Sequence, residues 1–85
     1  MWNYQVVKNT TKIKGKKYTS YGIREIYFSG NGKMRAFTVD DMAPYGVTKE
    51  ELLKDLVHML MAFDKPVVTM TELNKMIKRR KNNDF

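Results

Sequence analysis

Ser29-Gly30-Asn31-Gly32 does most to narrow the folds open to this chain. Asn-Gly supplies the positive φ values that a tight hairpin demands. On its upstream side, residues 18–28 alternate like a strand. Tyr21, Ile23 and Tyr27 point one way, and Ile26 and Phe28 point the other. Gly22 within this run predicts a bulge or the close approach of another backbone. On the downstream side, residues 33–39 return as a strand, with Phe37 and Val39 on one face and Met34 and Ala36 on the other. An earlier strand is predicted over residues 2–8, where Trp2, Tyr4 and Val6 share a face. Residues 9–17 are polar, rich in Thr and Lys, and contain Gly15. They read as a loop or a mobile hairpin tip.

Helical spacing takes over after Asp40-Asp41-Met42-Ala43-Pro44-Tyr45-Gly46, a turn-rich connection. Thr48-Lys49-Glu50-Glu51 is a capping box. The Thr48 hydroxyl can accept from the Glu51 amide while the Glu51 carboxylate reaches back to the Thr48 amide. Leu52, Leu53, Leu56, Met59, Leu60 and Phe63 follow as a wide apolar stripe, predicting a helix over about 49–64 that covers one sheet face. Pro66 stops it. Val67-Val68 reads as a short fourth strand or an extended linker. Thr69-Met70-Thr71-Glu72 offers a second capping box, and Leu73, Met76 and Ile77 give a short second helix. The expected fold is α+β: a three-stranded antiparallel meander, then a main helix packed on one sheet face (β-β-β-α), then a short C-terminal helix. Residues 1–81 form one domain, and 82–85 are expected to fray. A core this small is marginal, so a homodimer through the other sheet face, or the second helix folding back, would help it.

Composition excludes several functions. The 85 residues contain no cysteine and a single histidine. A disulfide scaffold, a thiol nucleophile and a zinc ribbon are therefore ruled out, and one His with scattered carboxylates falls short of a zinc ligand set. His58 lies on the flank of the apolar stripe, where a boundary role is more ordinary than a base. Asp55 and Glu51 on the same helix could orient it. Asp40-Asp41 reads as turn capping. Gly30-Asn31-Gly32-Lys33 lacks P-loop spacing, and neither Ser20 nor Ser29 sits in a nucleophile elbow. No apolar run is long enough to span a bilayer, and Met1-Trp2-Asn3-Tyr4 does not begin a signal peptide. The expectation is a soluble, cytoplasmic, non-enzymatic protein with no cofactor and no bound metal.

Charge is segregated along the chain. The net charge is +7. Its excess lies in two clusters, Lys12, Lys14, Lys16 and Lys17, and the tail Lys75, Lys78, Arg79, Arg80 and Lys81, while residues 40–74 are acidic on balance. Together with Arg24 and Arg35, and with Tyr21 and Tyr27 as stacking rings, these residues form a candidate surface for nucleic acid or an acidic partner. The same residues also suit a solvated loop and tail beside core aromatics. An RNP1-type pattern is missing, so this is not an RRM.

Trp2-Asn3-Tyr4 with Val6-Val7, Tyr21-Gly22-Ile23 with Glu25-Ile26-Tyr27-Phe28, Gly32, Pro44-Tyr45-Gly46 with Thr48, Glu50-Glu51-Leu52, and Lys65-Pro66-Val67 together resemble a family of small uncharacterised proteins of bacteria and their phages. The resemblance covers about residues 2–73 and brings no activity with it. Bacterial members tend to be acidic, so the positive charge here departs from them. More distantly, Pro44, Gly46, Thr48, Glu50 and Glu51 after a β-meander are similar to the HicB-like antitoxin fold, whose members bind and neutralise a small toxin. The aspartate-rich strand and separate DNA-binding domain of that group are missing, so this likeness bears on architecture. The expected function is a small phage or bacterial protein that acts by binding a partner protein, for instance to inhibit a host factor in the host cytoplasm. The alternative is a nucleic-acid-binding module.

Overall fold

The computed structural model describes the backbone of residues 1–83 and the side chains of residues 1–77. Its elements are β1 (Trp2–Ile13), β2 (Lys16–Phe28), β3 (Met34–Phe37), α1 (Lys49–Leu60), a 3₁₀ helix (Met61–Asp64), β4 (Val68–Thr69) and α2 (Met70–Asn83). The sheet has four strands in the order β3-β2-β1-β4. β1, β2 and β3 form the expected antiparallel meander, whereas β4 joins the outer edge of β1 in parallel, with Val7 opposite Val68. The sheet is therefore mixed rather than purely antiparallel.

The first two strands are longer than their apolar alternation indicates. Residues 9–13 pair with 16–20, so the segment expected as a loop is mostly strand. Its turn is only Lys14-Gly15, with φ of 51° and 82°. Two successive positive φ values match the right-handed twist of the flanking strands, and glycine at the second position removes the steric cost there. At the second hairpin only Gly32 has positive φ, and the turn closes through Gly32 N–H to Ser29 O (3.0 Å) and Ser29 N–H to Lys33 O (2.8 Å). The tighter, two-residue reversal is thus the first one.

Both faces of the sheet are covered. Tyr4, Val6 and Ile23 pack with Met59, Ala62 and Met42 on one face. On the other, Val7, Ile26 and Val68 pack with Leu73, and Phe28, Met34, Phe37 and Met70 surround them, so Met34 and Phe37 share a face rather than opposing each other, across the register shift between Tyr27 and Phe28. Ile26 and Leu73 are fully buried; burying such side chains contributes about 1.5–3 kcal/mol each. α2 therefore folds back to close the face that the meander alone would leave open.

Capping follows the sequence with one difference. Thr48 Oγ1 accepts from Glu51 N–H (3.2 Å), but Glu51 Oε2 accepts from the amide of Val47 (2.9 Å) rather than that of Thr48. Thr69 Oγ1 accepts from Glu72 N–H (3.2 Å) and starts α2. The main helix tightens to 3₁₀ geometry after Leu60, and Lys65, held extended by the following proline, ends it. Gln5 is buried on β1, and its amide donates to the carbonyl of Pro66 (3.1 Å), fastening that exit to the sheet. Gly22 makes room for the Asp41 carboxylate rather than for a backbone, because a Cβ there would collide with it. The expected frayed tail overlaps the last two described residues of α2, and positions 84 and 85 lie outside the described residues.

Candidate functional site

The orientation of α1 creates the most distinctive surface. Tyr4 Oη donates to Asp55 Oδ1 (2.9 Å), and the Tyr45 amide donates to Asp55 Oδ2 (2.8 Å). One carboxylate thus ties the helix both to β1 and to the connection that precedes it. Burial, reinforced by this hydrogen bond, pushes the pKa of the Tyr4 hydroxyl up to about 12. Beside it the His58 ring lies 5.1 Å from the Trp2 ring and 4.9 Å from the Tyr4 ring. An open cleft of about 470 Å³ runs past Tyr4, Met42, Tyr45, Asp55 and His58. The oxygens of Asp55 there hold Tyr4 and Tyr45, not His58. Among the described residues, no three His, Cys, Asp or Glu side chains come together.

With Asp55, His58, Met59 and Ala62 turned inward, the leucine stripe turns outward. Within α1 only Met59 is buried. Leu53 is 62% exposed, Leu56 46%, Val57 53% and Leu60 67%, and Phe63 in the 3₁₀ helix is 67% exposed. The expectation that this stripe covers the sheet holds for Met59 alone of its residues, and is corrected for Leu52, Leu53, Leu56, Leu60 and Phe63, which are exposed. The sheet is capped by Met59, at the edge of the stripe, and by Ala62 in the 3₁₀ extension. The stripe's spacing is legible in the sequence; its direction is set by Tyr4 and Asp55, which lie 51 residues apart.

The lysine cluster forms a second surface. Five residue pairs, from Asn9 opposite Ser20 to Ile13 opposite Lys16, join only β1 and β2. Asn9 and Thr10 still border Thr71 and Asn74 of α2, and from Thr11 opposite Tyr18 onward the hairpin extends past the body as an exposed ribbon of about 10 Å at ~3.4 Å per residue. Lys12 faces Lys17 directly across it. Lys12, Lys14, Lys16 and Lys17 are all exposed, as are Tyr18 and Tyr21. By strand alternation Lys12, Lys17 and Tyr21 share one face of the ribbon.

The remaining candidates are placed elsewhere. Arg24 is largely buried and committed to the fold. Its Nε donates to Asp41 Oδ1 (3.2 Å), and Nη1 donates to the carbonyls of Thr38 (3.2 Å) and Val39 (2.6 Å). Tyr27 donates to Glu25 Oε2 (2.9 Å), which raises its pKa, and its ring tilts against Trp2 at 6.4 Å. Arg35 is exposed on β3, at the end of the sheet far from the ribbon tip. The side chains of Lys78, Arg79, Arg80 and Lys81 lie outside the described residues. Of the sequence-derived set, the structure brings together Lys12, Lys14, Lys16, Lys17 and Tyr21.

Compared with protein-family models, with curated proteins and with solved structures, the chain finds no match. The resemblances drawn from its motifs stand on those motifs alone.

Proposed function

We propose that this chain is a non-enzymatic binding protein that acts by docking the outward face of α1 and the 3₁₀ helix onto a partner protein. One observation carries the reading: Leu53, Leu56, Val57, Leu60 and Phe63 are half exposed or nearly so, or more, along one helix and its extension. Single exposed apolar residues need no explanation, but a contiguous row on a small domain marks an interaction surface. Each leucine removed from water would contribute up to about 1.5–3 kcal/mol before the costs of association. An amphipathic helix held rigidly by Asp55 is a preorganised element for such contact. Occupying a partner in this way fits an inhibitor of a host factor.

The test places a photo-cross-linking amino acid at position 60 in cells that express the chain, with position 31 as the control. An adduct from position 60 alone, lost when Leu56→Glu is added, supports the reading. Equal labelling from both positions, or none from position 60, removes it.

A second reading has its own observation. Two lysines directly opposite on a ribbon repel each other and weaken the strand pairing they sit in. A polyanion between them would relieve that repulsion. A two-stranded ribbon also fits the major groove of a duplex, and exposed Tyr18 and Tyr21 could stack on bases. Binding of labelled oligonucleotides should then fall by orders of magnitude between roughly 50 and 200 mM salt. Binding that ignores salt would exclude this role for the ribbon.

A further inference from the structure

We infer that the partner on the α1 face is a second copy of this chain, its α1 packed antiparallel to the first across a two-fold axis. The inference rests on the protein-docking reading of that face and names its occupant. At about 100° per residue, Lys49, Leu53, Leu56 and Leu60 fall within an arc of roughly 60°. The row begins with the cation of Lys49, runs through leucines, and passes Phe63 to the anion of Asp64. Both charged ends are exposed, and among the described residues neither side chain is in an ion pair or side-chain hydrogen bond of the chain.

Such a row complements itself when reversed. An antiparallel two-fold centred between Leu56 and Val57 sets Leu53 against Leu60 of the other copy and brings the two Leu56 side chains together at the axis, with Val57 flanking the seam. The same register sets Lys49 against Asp64. The Leu53–Leu60 and Lys49–Asp64 pairs each occur twice, because a two-fold contact is isologous. A parallel arrangement would instead put Lys49 against Lys49 and Asp64 against Asp64. Antiparallel packing also aligns the two helix dipoles favourably. The lysine ribbons, which carry much of the net charge, are built on β1 and β2 rather than on this face.

The experiment measures the mass of the full chain by light scattering and sedimentation across roughly 1 µM to 1 mM, the range in which small interfaces assemble. The wild type should rise from the 10.0 kDa monomer to twice that mass. Lys49→Asp and Asp64→Lys should each raise the dissociation constant about 5- to 10-fold, because each faces like charges twice. Mixed together, the two variants should form a heterodimer of wild-type affinity, since every charged pair across that interface is again opposite. Leu60→Glu should remain monomeric with an unchanged circular-dichroism spectrum.

A wild type that stays monomeric at the highest concentration overturns the inference. So does a wild-type dimer whose two charge variants gain nothing on mixing. Binding of an apolar dye separates the two levels of failure. A monomer that binds dye and loses it in Leu60→Glu keeps an open docking face for a different protein. A monomer that binds no dye loses the docking face as well.

Discussion

Tyr4 and Asp55, 51 residues apart, meet at 2.9 Å and set which side of α1 faces the sheet. Asp55, His58, Met59 and Ala62 then occupy the inner side. The leucine row lies roughly 140° round the helix from them, at about 100° per residue. An amphipathic helix ordinarily buries its apolar stripe. Here a phenol and a main-chain amide hold a carboxylate against the sheet, and the stripe is presented outward.

Loss of the Tyr4 hydroxyl should loosen this arrangement. Tyr4→Phe keeps the ring against His58 and removes the donor to Asp55. A hydrogen bond to a charged group contributes about 1.5–3 kcal/mol, and Asp55 keeps the Tyr45 amide, so a loss near the lower end is expected in urea unfolding. The pH dependence has a definite sign. The Tyr4 hydroxyl is raised from 10.0 to about 12 in the fold, so its contribution is complete below the unfolded value of 10.0 and disappears as the pH climbs to about 12. Tyr27 is raised too, by its bond to Glu25, and acts in the same direction. The wild type should lose stability across that window, and Tyr4→Phe should lose less. Equal slopes for the two proteins would separate Tyr4 from the alkaline transition.

Leu56 and Met59 should respond very unequally to truncation. Leu56 is nearly half exposed and Met59 is buried against Tyr4 and Val6. Leu56→Ser should change unfolding free energy by about 0.5 kcal/mol or less at concentrations where the chain is monomeric. Met59→Ala should cost about 2–5 kcal/mol through the cavity it leaves. If Leu56→Ser were the costlier change, α1 would be rolled with its leucines toward the sheet.

These contrasts show where the sequence carries structural information. The strands around residues 2–8 and 18–28, the cap at Thr48 and the start of α2 at Thr69 are local, and their residues state them directly. The roll of α1 is not local, because both faces of that helix have plausible burial partners and only a contact across the chain decides between them. The length of the ribbon is hidden for another reason. Thr10, Thr11, Thr19 and the lysines lie outside any core, so no apolar alternation marks them as strand, although threonine is favourable there. The lysine cluster is visible as charge, but its Lys12–Lys17 pairing needs the register. Arg24 reads as a surface cation because nothing nearby in sequence announces Asp41 or the Thr38 and Val39 carbonyls as its partners.

Arg24 should therefore behave as a structural residue. It holds the connection after β3 against β2 through three contacts. Arg24→Gln should lower the unfolding free energy by about 1–3 kcal/mol, since two carbonyls and a carboxylate lose their donor. Arg24→Lys should recover little, because one ammonium cannot reproduce the guanidinium's spread of donors. Thermal unfolding reads both. An Arg24→Gln variant with wild-type stability but weakened oligonucleotide binding would move this side chain to the nucleic-acid surface.

Lys17→Glu should separate the ribbon's stability from its charge. It replaces a like-charge cross-strand pair with one of opposite charge, Lys12 against a carboxylate, worth about 0.2–1 kcal/mol in favour of the hairpin. Amide exchange in residues 9–13 and 16–20 should slow accordingly. Any affinity for a polyanion should fall at the same time, because two positive charges become one positive and one negative. A ribbon made both firmer and less able to bind would mark the Lys12–Lys17 repulsion as a cost retained for an anionic ligand. A firmer ribbon with unchanged oligonucleotide binding would leave the lysines as solvated surface and the α1 face as the sole docking surface supported.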